Sequence, residues 1–199
     1  MKFFCHFGLA SFSNSYLIGP DEGGEALLID PAVFDDTLLG MIEKNRLDVR
    51  HILVTHAHES HINGIATALR IYDATVYGVV PLPRVPKFRE VEDGDELELG
   101  RFRVRVIWTP GHSPDSVVYH MPPYLFTGDT LRAGAIGSAR DPASRELLVK
   151  SVRNEILGLD DETLIFPGHG PPTRVRIERL LNPDLRPAAA DDASGAAAR

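Results

Sequence analysis

Apolar and polar residues alternate in several stretches of the chain, and apolar residues three or four positions apart occur between those stretches. Successive side chains of a strand point to opposite faces, so alternation predicts strands, whereas the wider spacing predicts amphipathic helices. In the first half, antiparallel strands are predicted over residues 3–7, 14–19 and 25–30, and a short strand over 51–55. Helices are predicted over residues 36–45 and 61–72.

The second half repeats this sequence of strands followed by helices. Its clearest strand covers residues 102–108, with Arg101, Arg103 and Arg105 predicted to face water. Further strands are predicted over 116–120, 124–127 and 163–166, and helices over 143–157 and 173–181. The predicted fold class is therefore mixed α+β, with two sheets that carry helices on their outer faces. We expect a single domain over residues 1–186 and a mobile Ala-rich tail over 187–199.

Composition and charge narrow the range of partners. A net charge of -7 and a pI near 5.6 argue against a nucleic-acid surface, which requires clustered Lys and Arg. The single cysteine, Cys5, excludes an intramolecular disulfide and suits a reducing compartment. Neither a secretory leader nor a long apolar run is evident. We expect a cytoplasmic protein that acts on a small molecule, without a membrane or nucleic-acid partner; the oligomeric state stays open.

Five of the eight histidines fall where predicted strands give way to loops, and one aspartate does the same. These residues are His56, His58, His61, His112, His169 and Asp129. Each motif alone also fits a turn or a helix cap. Together they indicate a metal centre, because imidazole nitrogen suits zinc, iron and manganese and a carboxylate can bridge two ions. His6, His51 and His120 lie outside this pattern and are assigned structural roles.

Several motifs resemble those of the metallo-β-lactamase superfamily, and most closely its glyoxalase II-like branch. They are the segments 14–18, 55–64, 109–113, 126–131, 167–170 and 182–183, in that order along the chain. The resemblance implies an αβ/βα four-layer sandwich with metals at one edge of the two sheets. It also implies a first metal position with His56, His58 and His112, and a second with His61 and His169, bridged by Asp129.

The chain departs from the family pattern at Ser60, where the motif has an aspartate that binds the second ion. A neutral hydroxyl is a weak ligand, so we expect one tightly bound ion and one weakly bound ion. Zinc is the expected metal, with iron or manganese as alternatives. The chain also ends without the helical region that helps authentic glyoxalase II bind glutathione, so the expected substrate is a small ester or thioester in general.

The preferred hypothesis is a metal-dependent hydrolase in which a metal-bound hydroxide attacks the substrate. In this hypothesis Asp129 is a catalytic residue that orients the hydroxide. One alternative is an enzyme similar to the persulfide dioxygenases of the same superfamily, with a mononuclear iron site formed by His56, His112 and Asp129. Another alternative is a non-catalytic metal-binding module whose second position is degenerate. Arg132, Arg140 and Arg145 are either receptors for an acidic group of the substrate or parts of a solvated loop.

Overall fold

The computed structural model describes residues 1–186. Its first sheet contains β1 (Lys2–Gly8), β2 (Ser13–Gly19), β3 (Gly24–Ile29), β4 (Leu47–Leu53), β5 (Thr75–Gly78) and β6 (Phe88–Glu90), which neighbour one another in that order. The pairs β1–β2 and β2–β3 are antiparallel, whereas the strands from β3 to β6 are parallel. The three antiparallel strands predicted at the start of the chain are therefore confirmed.

The second sheet also has six strands. In chain order these are β7 (Glu96–Leu99), β8 (Phe102–Trp108), β9 (Val117–Met121), β10 (Tyr124–Gly128), β13 (Leu164–Pro167) and β14 (Thr173–Arg174). Their order across the sheet is β14-β13-β10-β9-β8-β7. A two-stranded ribbon of β11 (Leu131–Arg132) and β12 (Ala135–Ile136) lies between β10 and the next helix along the chain. The predicted strand over 102–108 is confirmed, with its three arginines exposed.

Five short helices cover the sheets: α1 (Asp36–Lys44), α2 (Glu59–Ile62), α3 (Ile65–Ala68), α4 (Pro142–Ser151) and α5 (Val175–Leu181). The carboxylate of Asp35 caps α1 by accepting a hydrogen bond from the Leu38 backbone N–H. α4 continues into a π-helical turn, Val152–Ile156, so the helix predicted over 143–157 is present with a wider final turn. None of the helices within residues 1–186 is both long enough and apolar enough to cross a membrane.

Two predicted helices differ from the structure. The single helix predicted over 61–72 is wrong, because the backbone N–H of Gly64 bonds to the Pro31 carbonyl at 2.7 Å and the chain divides there into α2 and α3. The helix predicted over 173–181 begins later, at Val175, because Thr173 and Arg174 pair with β13 as strand β14. The predicted mobile tail, 187–199, lies outside the described residues.

The core has three apolar layers. Side chains from both sheets fill the space between them, including Ile18 and Leu53 from the first sheet and Val104 and Phe126 from the second. The outer face of the first sheet packs under α1 to α3, and the outer face of the second packs under α4 and α5. The expected four-layer αβ/βα sandwich is confirmed.

The topology brings four strand ends together at one edge. β8 and β10 are each antiparallel to β9, and β10 is parallel to β13, so the carboxyl ends of β8, β10 and β13 share an edge of the second sheet. The first sheet joins this edge just after β4, where the Thr55 carbonyl accepts a hydrogen bond from Val117 N–H at 2.9 Å. Side chains in the loops after β4, β8, β10 and β13 therefore meet.

Candidate metal centre

All six side chains that the sequence singled out converge at this edge. His56 follows β4, His112 follows β8, Asp129 follows β10 and His169 follows β13. His58 is the N-cap residue of α2, and His61 lies within that helix. Loops at the ends of rigid strands hold polar side chains in fixed positions, which suits a ligand cluster. Within residues 1–186, His6, His51 and His120 belong to neither group of side chains able to hold an ion.

The first group consists of His56, His58 and His112. One ring nitrogen of each lies within 4.8 Å of the others. His58 Nδ1 and His112 Nε2 are 3.0 Å apart. Two imidazole nitrogens bound tetrahedrally to one zinc ion at about 2.0–2.1 Å would be separated by about 3.3 Å. The spacing of these side chains therefore fits a single small ion.

The second group consists of His56, His61 and Asp129, so it shares His56 with the first group and does not include His169, which was predicted at the second position. Asp129 Oδ1 lies 3.6 Å from His61 Nε2 and 3.5 Å from His169 Nε2. The other oxygen, Oδ2, lies 3.6 Å from His112 Nε2. One oxygen of Asp129 therefore faces each predicted metal position, an arrangement in which a carboxylate can bridge two ions.

Backbone carbonyls fix the orientation of two outer histidines. His112 Nδ1 lies 2.8 Å from the Ser138 carbonyl oxygen, and His169 Nδ1 lies 2.7 Å from the Phe12 carbonyl oxygen. A carbonyl oxygen only accepts hydrogen bonds, so Nδ1 carries the proton in both rings. The lone pair of each Nε2 then faces the centre, as a metal ligand requires.

A buried aspartate orients the two inner histidines. Asp30 accepts hydrogen bonds from His61 Nδ1 at 3.0 Å, from Thr55 N at 2.8 Å and from Thr55 Oγ1 at 2.6 Å. Because Thr55 Oγ1 gives its proton to Asp30, it accepts from His56 Nδ1 at 3.1 Å. Both Nε2 atoms are left as bare acceptors toward the centre. Sequence reasoning missed Asp30, although it follows the apolar strand β3 just as Asp129 follows β10.

Three buried atoms at the centre have no hydrogen-bond partner within residues 1–186: His56 Nε2, His61 Nε2 and Asp129 Oδ1. A buried polar atom without a partner costs about 1–3 kcal/mol of folding free energy. With the imidazoles neutral, all three atoms are electron-pair donors with no proton to offer one another. A divalent cation satisfies such a set, so the residues present fit a metal ion.

Burial and neighbouring charges shift the pKa values of these histidines in different directions. Burial, followed by the nearby imidazoles, holds the pKa of His56 far below its ordinary value. Burial also lowers the pKa of His112. Burial would lower the pKa of His61 too, but the hydrogen bond and charge of Asp30 outweigh it, and the net pKa is raised. His56 and His112 are therefore neutral at neutral pH, which is the state in which an imidazole can bind a metal ion.

The predicted second metal position has fewer carboxylates than the motif of the resembling family provides. Ser60 is half-buried next to His61, and its hydroxyl makes no hydrogen bond within the described part of the chain. Glu59 is exposed on the first turn of α2 and belongs to neither ligand group. Asp129 is therefore the single carboxylate among the six predicted ligands, two of which, His61 and His169, adjoin its Oδ1.

The three candidate arginines do not behave alike. Arg145 forms an ion pair with Asp184 at 2.7 Å. Arg140 is exposed, lies 3.3 Å from Asp141 and lines a cavity beside His112. Arg132 lies in β11 and does not line that cavity. Of the three, only Arg140 is placed where a bound molecule next to the ligand cluster would meet it.

Most of the chain, including the six converging side chains up to His169, is similar to known proteins. The family model for the metallo-beta-lactamase superfamily matches residues 8–169. Hydroxyacylglutathione hydrolase GloC of Haemophilus influenzae is 29% identical, with 86% of this chain and 92% of that protein covered. The crystal structure of ETHE1 from Myxococcus xanthus has a TM-score of 0.82 and 34% identity, covering 92% of this chain and 84% of that one. TTHA1623, solved in a di-iron-bound form, has a TM-score of 0.73 and 31% identity, covering 86% and 94% respectively.

Proposed function

Because the chain belongs to the metallo-β-lactamase superfamily, we propose that it is a metal-dependent hydrolase of a small ester or thioester. The observation that carries this proposal is the set of bare Nε2 atoms that face Asp129, each held by a hydrogen bond at Nδ1. The similarity to a hydroxyacylglutathione hydrolase supports hydrolysis as the reaction class.

Each residue has a separate task in this proposal. A divalent ion in such a centre supplies water of lowered pKa and polarises the carbonyl oxygen of the substrate. His56, His58 and His112 would hold the ion at the first metal position. Asp30 orients the His56 ring through Thr55, and the Ser138 carbonyl orients the His112 ring. While the second position is empty, Asp129 Oδ1, which has no hydrogen-bond partner within residues 1–186, could accept a hydrogen bond from water and orient that water.

Zinc is the metal we propose, with one ion bound tightly and a second bound weakly. Zinc accepts three imidazoles and leaves a fourth position for water, which matches the first metal position. The second position has two imidazoles and a share of Asp129, so less negative charge offsets a second ion there. We propose iron or manganese as alternative metals.

A second candidate function is an oxygen-dependent reaction at a mononuclear iron site, as in the persulfide dioxygenases of the superfamily. His112 Nε2 lies 3.6 Å from Asp129 Oδ2, and His56 belongs to one group with His112 and to another with Asp129, so we propose these three side chains as the set of two histidines and one carboxylate. The similarity to TTHA1623, solved in a di-iron-bound form, supports iron as a metal for a protein of this fold. This candidate tolerates Ser60, because it requires one ion.

Metal reconstitution with two assays separates the candidates. Metal-free protein is loaded with zinc or with iron, and each form is tested for thiol release from a thioester and for oxygen uptake with a persulfide. We expect thiol release with zinc and no oxygen uptake with either metal. Oxygen uptake by the iron form, without thiol release by any form, would replace the hydrolase with the second candidate. Activity in neither assay would favour a non-catalytic metal-binding module.

A further inference from the structure

A cavity of about 560 Å³ opens beside the first metal position. His58 and His112 form one part of its wall, and Trp108, Pro110, Pro114 and Leu147 form much of the rest. This volume lies within the range of about 300–1,000 Å³ that is usual for small-molecule sites. The cavity therefore has room for a substrate group larger than the atoms that react at the metal.

Two large apolar side chains are exposed in this cavity. Trp108, at the end of β8, has 47% of its surface exposed, and Leu147, on α4, has 43%. The next residue on the helix, Leu148, is fully buried in the core. Trp108 and Leu147 thus present apolar surface to water inside a concave site, where it is available to a ligand.

The tryptophan ring is held in position by contacts at both ends of the residue. Its indole Nε1 donates to the Pro114 carbonyl at 2.9 Å, and its backbone N–H donates to Asp93 Oδ1 at 2.8 Å. An aromatic ring already fixed in its bound position loses little conformational entropy when a ligand packs against it. Trp108 therefore provides a preorganised apolar wall.

Charge is scarce in the cavity lining. Among residues 1–186, Arg140 is the one arginine or lysine that lines the cavity, and no aspartate or glutamate of this range does so. Arg140 lies 3.3 Å from Asp141. Three serines add neutral polar groups to the lining, while an apolar group would bury surface against Trp108 and Leu147. Burying a side chain the size of a phenyl ring contributes about 1.5–3 kcal/mol.

We propose that this cavity holds a bulky apolar group of the substrate, preferably an aromatic ring, next to the scissile carbonyl. The inference rests on the proposed hydrolase function, to which it adds the substrate class: esters or thioesters with an aromatic or large aliphatic substituent. The group belongs either to the acyl part or to the leaving alcohol or thiol. An apolar group in either part would make the same contacts with the cavity, and the kinetic test below distinguishes the acyl part from the leaving group.

The first test is a binding measurement that requires no turnover. Trp108 is the single tryptophan of the chain, so tryptophan fluorescence reports directly on this cavity. Zinc-loaded protein is titrated with phenylacetate and, separately, with acetate, which carries the same carboxylate without the ring. We expect phenylacetate to bind at least about tenfold more tightly and to change the fluorescence saturably. Equal affinities for the two acids, or no response to phenylacetate, would overturn the proposal even in a protein that hydrolyses thioesters.

Two leucine-to-alanine variants test whether the preference for phenylacetate arises in the cavity. Leu147→Ala removes an exposed side chain from the cavity wall and should abolish most of the preference for phenylacetate. Leu180→Ala removes a leucine that is 59% exposed on α5, outside the cavity, and should leave the preference intact. The same loss in both variants would contradict the assignment of the ring to this cavity.

The second test is kinetic. Selectivity is measured as the ratio of kcat/KM for phenylacetyl over acetyl thioesters of one thiol, and for benzyl over ethyl thioesters of acetate. Leu147→Ala should lower one of the two ratios about tenfold, and that ratio identifies the part of the substrate in the cavity. Trp108→Phe keeps an aromatic ring but loses the N–H that bonds to Pro114 and fixes the ring, so it should retain part of the selectivity that Trp108→Ala loses. Unchanged ratios in Leu147→Ala and Trp108→Ala would refute the proposal.

Discussion

A methyl group at Gly168 should disrupt the second metal position selectively. A Cβ atom there would lie 2.4 Å from His61 Cε1 and 2.9 Å from Asp129 Oδ1. The backbone cannot easily retreat, because Gly168 N–H donates to the Gly128 carbonyl at 2.8 Å and its own carbonyl accepts from Asn14 N–H at 2.7 Å. Gly168→Ala therefore pushes the two ligands aside instead of moving the chain.

The displacement is large on the scale of metal coordination. Non-bonded carbon atoms pack at about 3.5–4.0 Å, so the His61 ring must move by about 1 Å. Metal–ligand distances vary by only about 0.2 Å in well-formed sites. We therefore expect Gly168→Ala to weaken the second metal position by at least about 10–100-fold, the usual cost of disturbing ligand orientation. The nearest atoms to the new methyl group do not include His58 or His112, so the first position should change much less.

Calorimetric titration of metal-free protein with zinc measures both positions. The control is Gly40→Ala in α1, where a Cβ atom would meet nothing within 4 Å. We expect the control to match the unmodified protein and Gly168→Ala to lose the weak binding phase while it keeps the tight one. Two unchanged phases in Gly168→Ala, with circular dichroism showing an intact fold, would refute the steric argument.

Three further predictions concern the same centre. Ser60→Asp should raise the number of tightly bound zinc ions from about one toward two, because it restores a negative charge. Calorimetry that finds two equally tight ions in the unmodified chain would contradict this. Asp30→Asn should lower zinc affinity about 10–100-fold without unfolding the protein, since it weakens the bond that holds His61; unchanged affinity would remove Asp30 from the centre. His6→Ala and His120→Ala should retain their metal by elemental analysis, and loss from either would mean that the wrong histidines were chosen.

The ligand cluster could be predicted from the sequence because its chemistry coincides with the pattern of strands. Four of the six residues follow a strand: His56, His112, Asp129 and His169. The ends of those strands can be predicted from the alternation of apolar and polar residues. The structure then brings these residues together through the order of strands in two sheets. Their roles as ligands remain predictions that metal binding must test.

Other features depend on contacts between distant segments, which local patterns do not contain. The predicted helix over 61–72 divides because Gly64 bonds to Pro31, a residue from the loop after β3. Asp30 supports His61 across a separation that no spacing rule connects. The apolar cavity exists because the end of β8 and the side of α4 face each other, which places Trp108 near Leu147.

The most direct test of the proposed function follows thioester hydrolysis while zinc is added to metal-free protein, in the unmodified chain and in His112→Ala. His112 lies 3.0 Å from His58 and 3.6 Å from Asp129, so its loss removes a ligand of the first position. We predict no hydrolysis without zinc, a rise that saturates near one equivalent in the unmodified chain, and no activity in folded His112→Ala at the same zinc concentrations. Equal hydrolysis by the two proteins, or hydrolysis by the metal-free chain, would contradict the account.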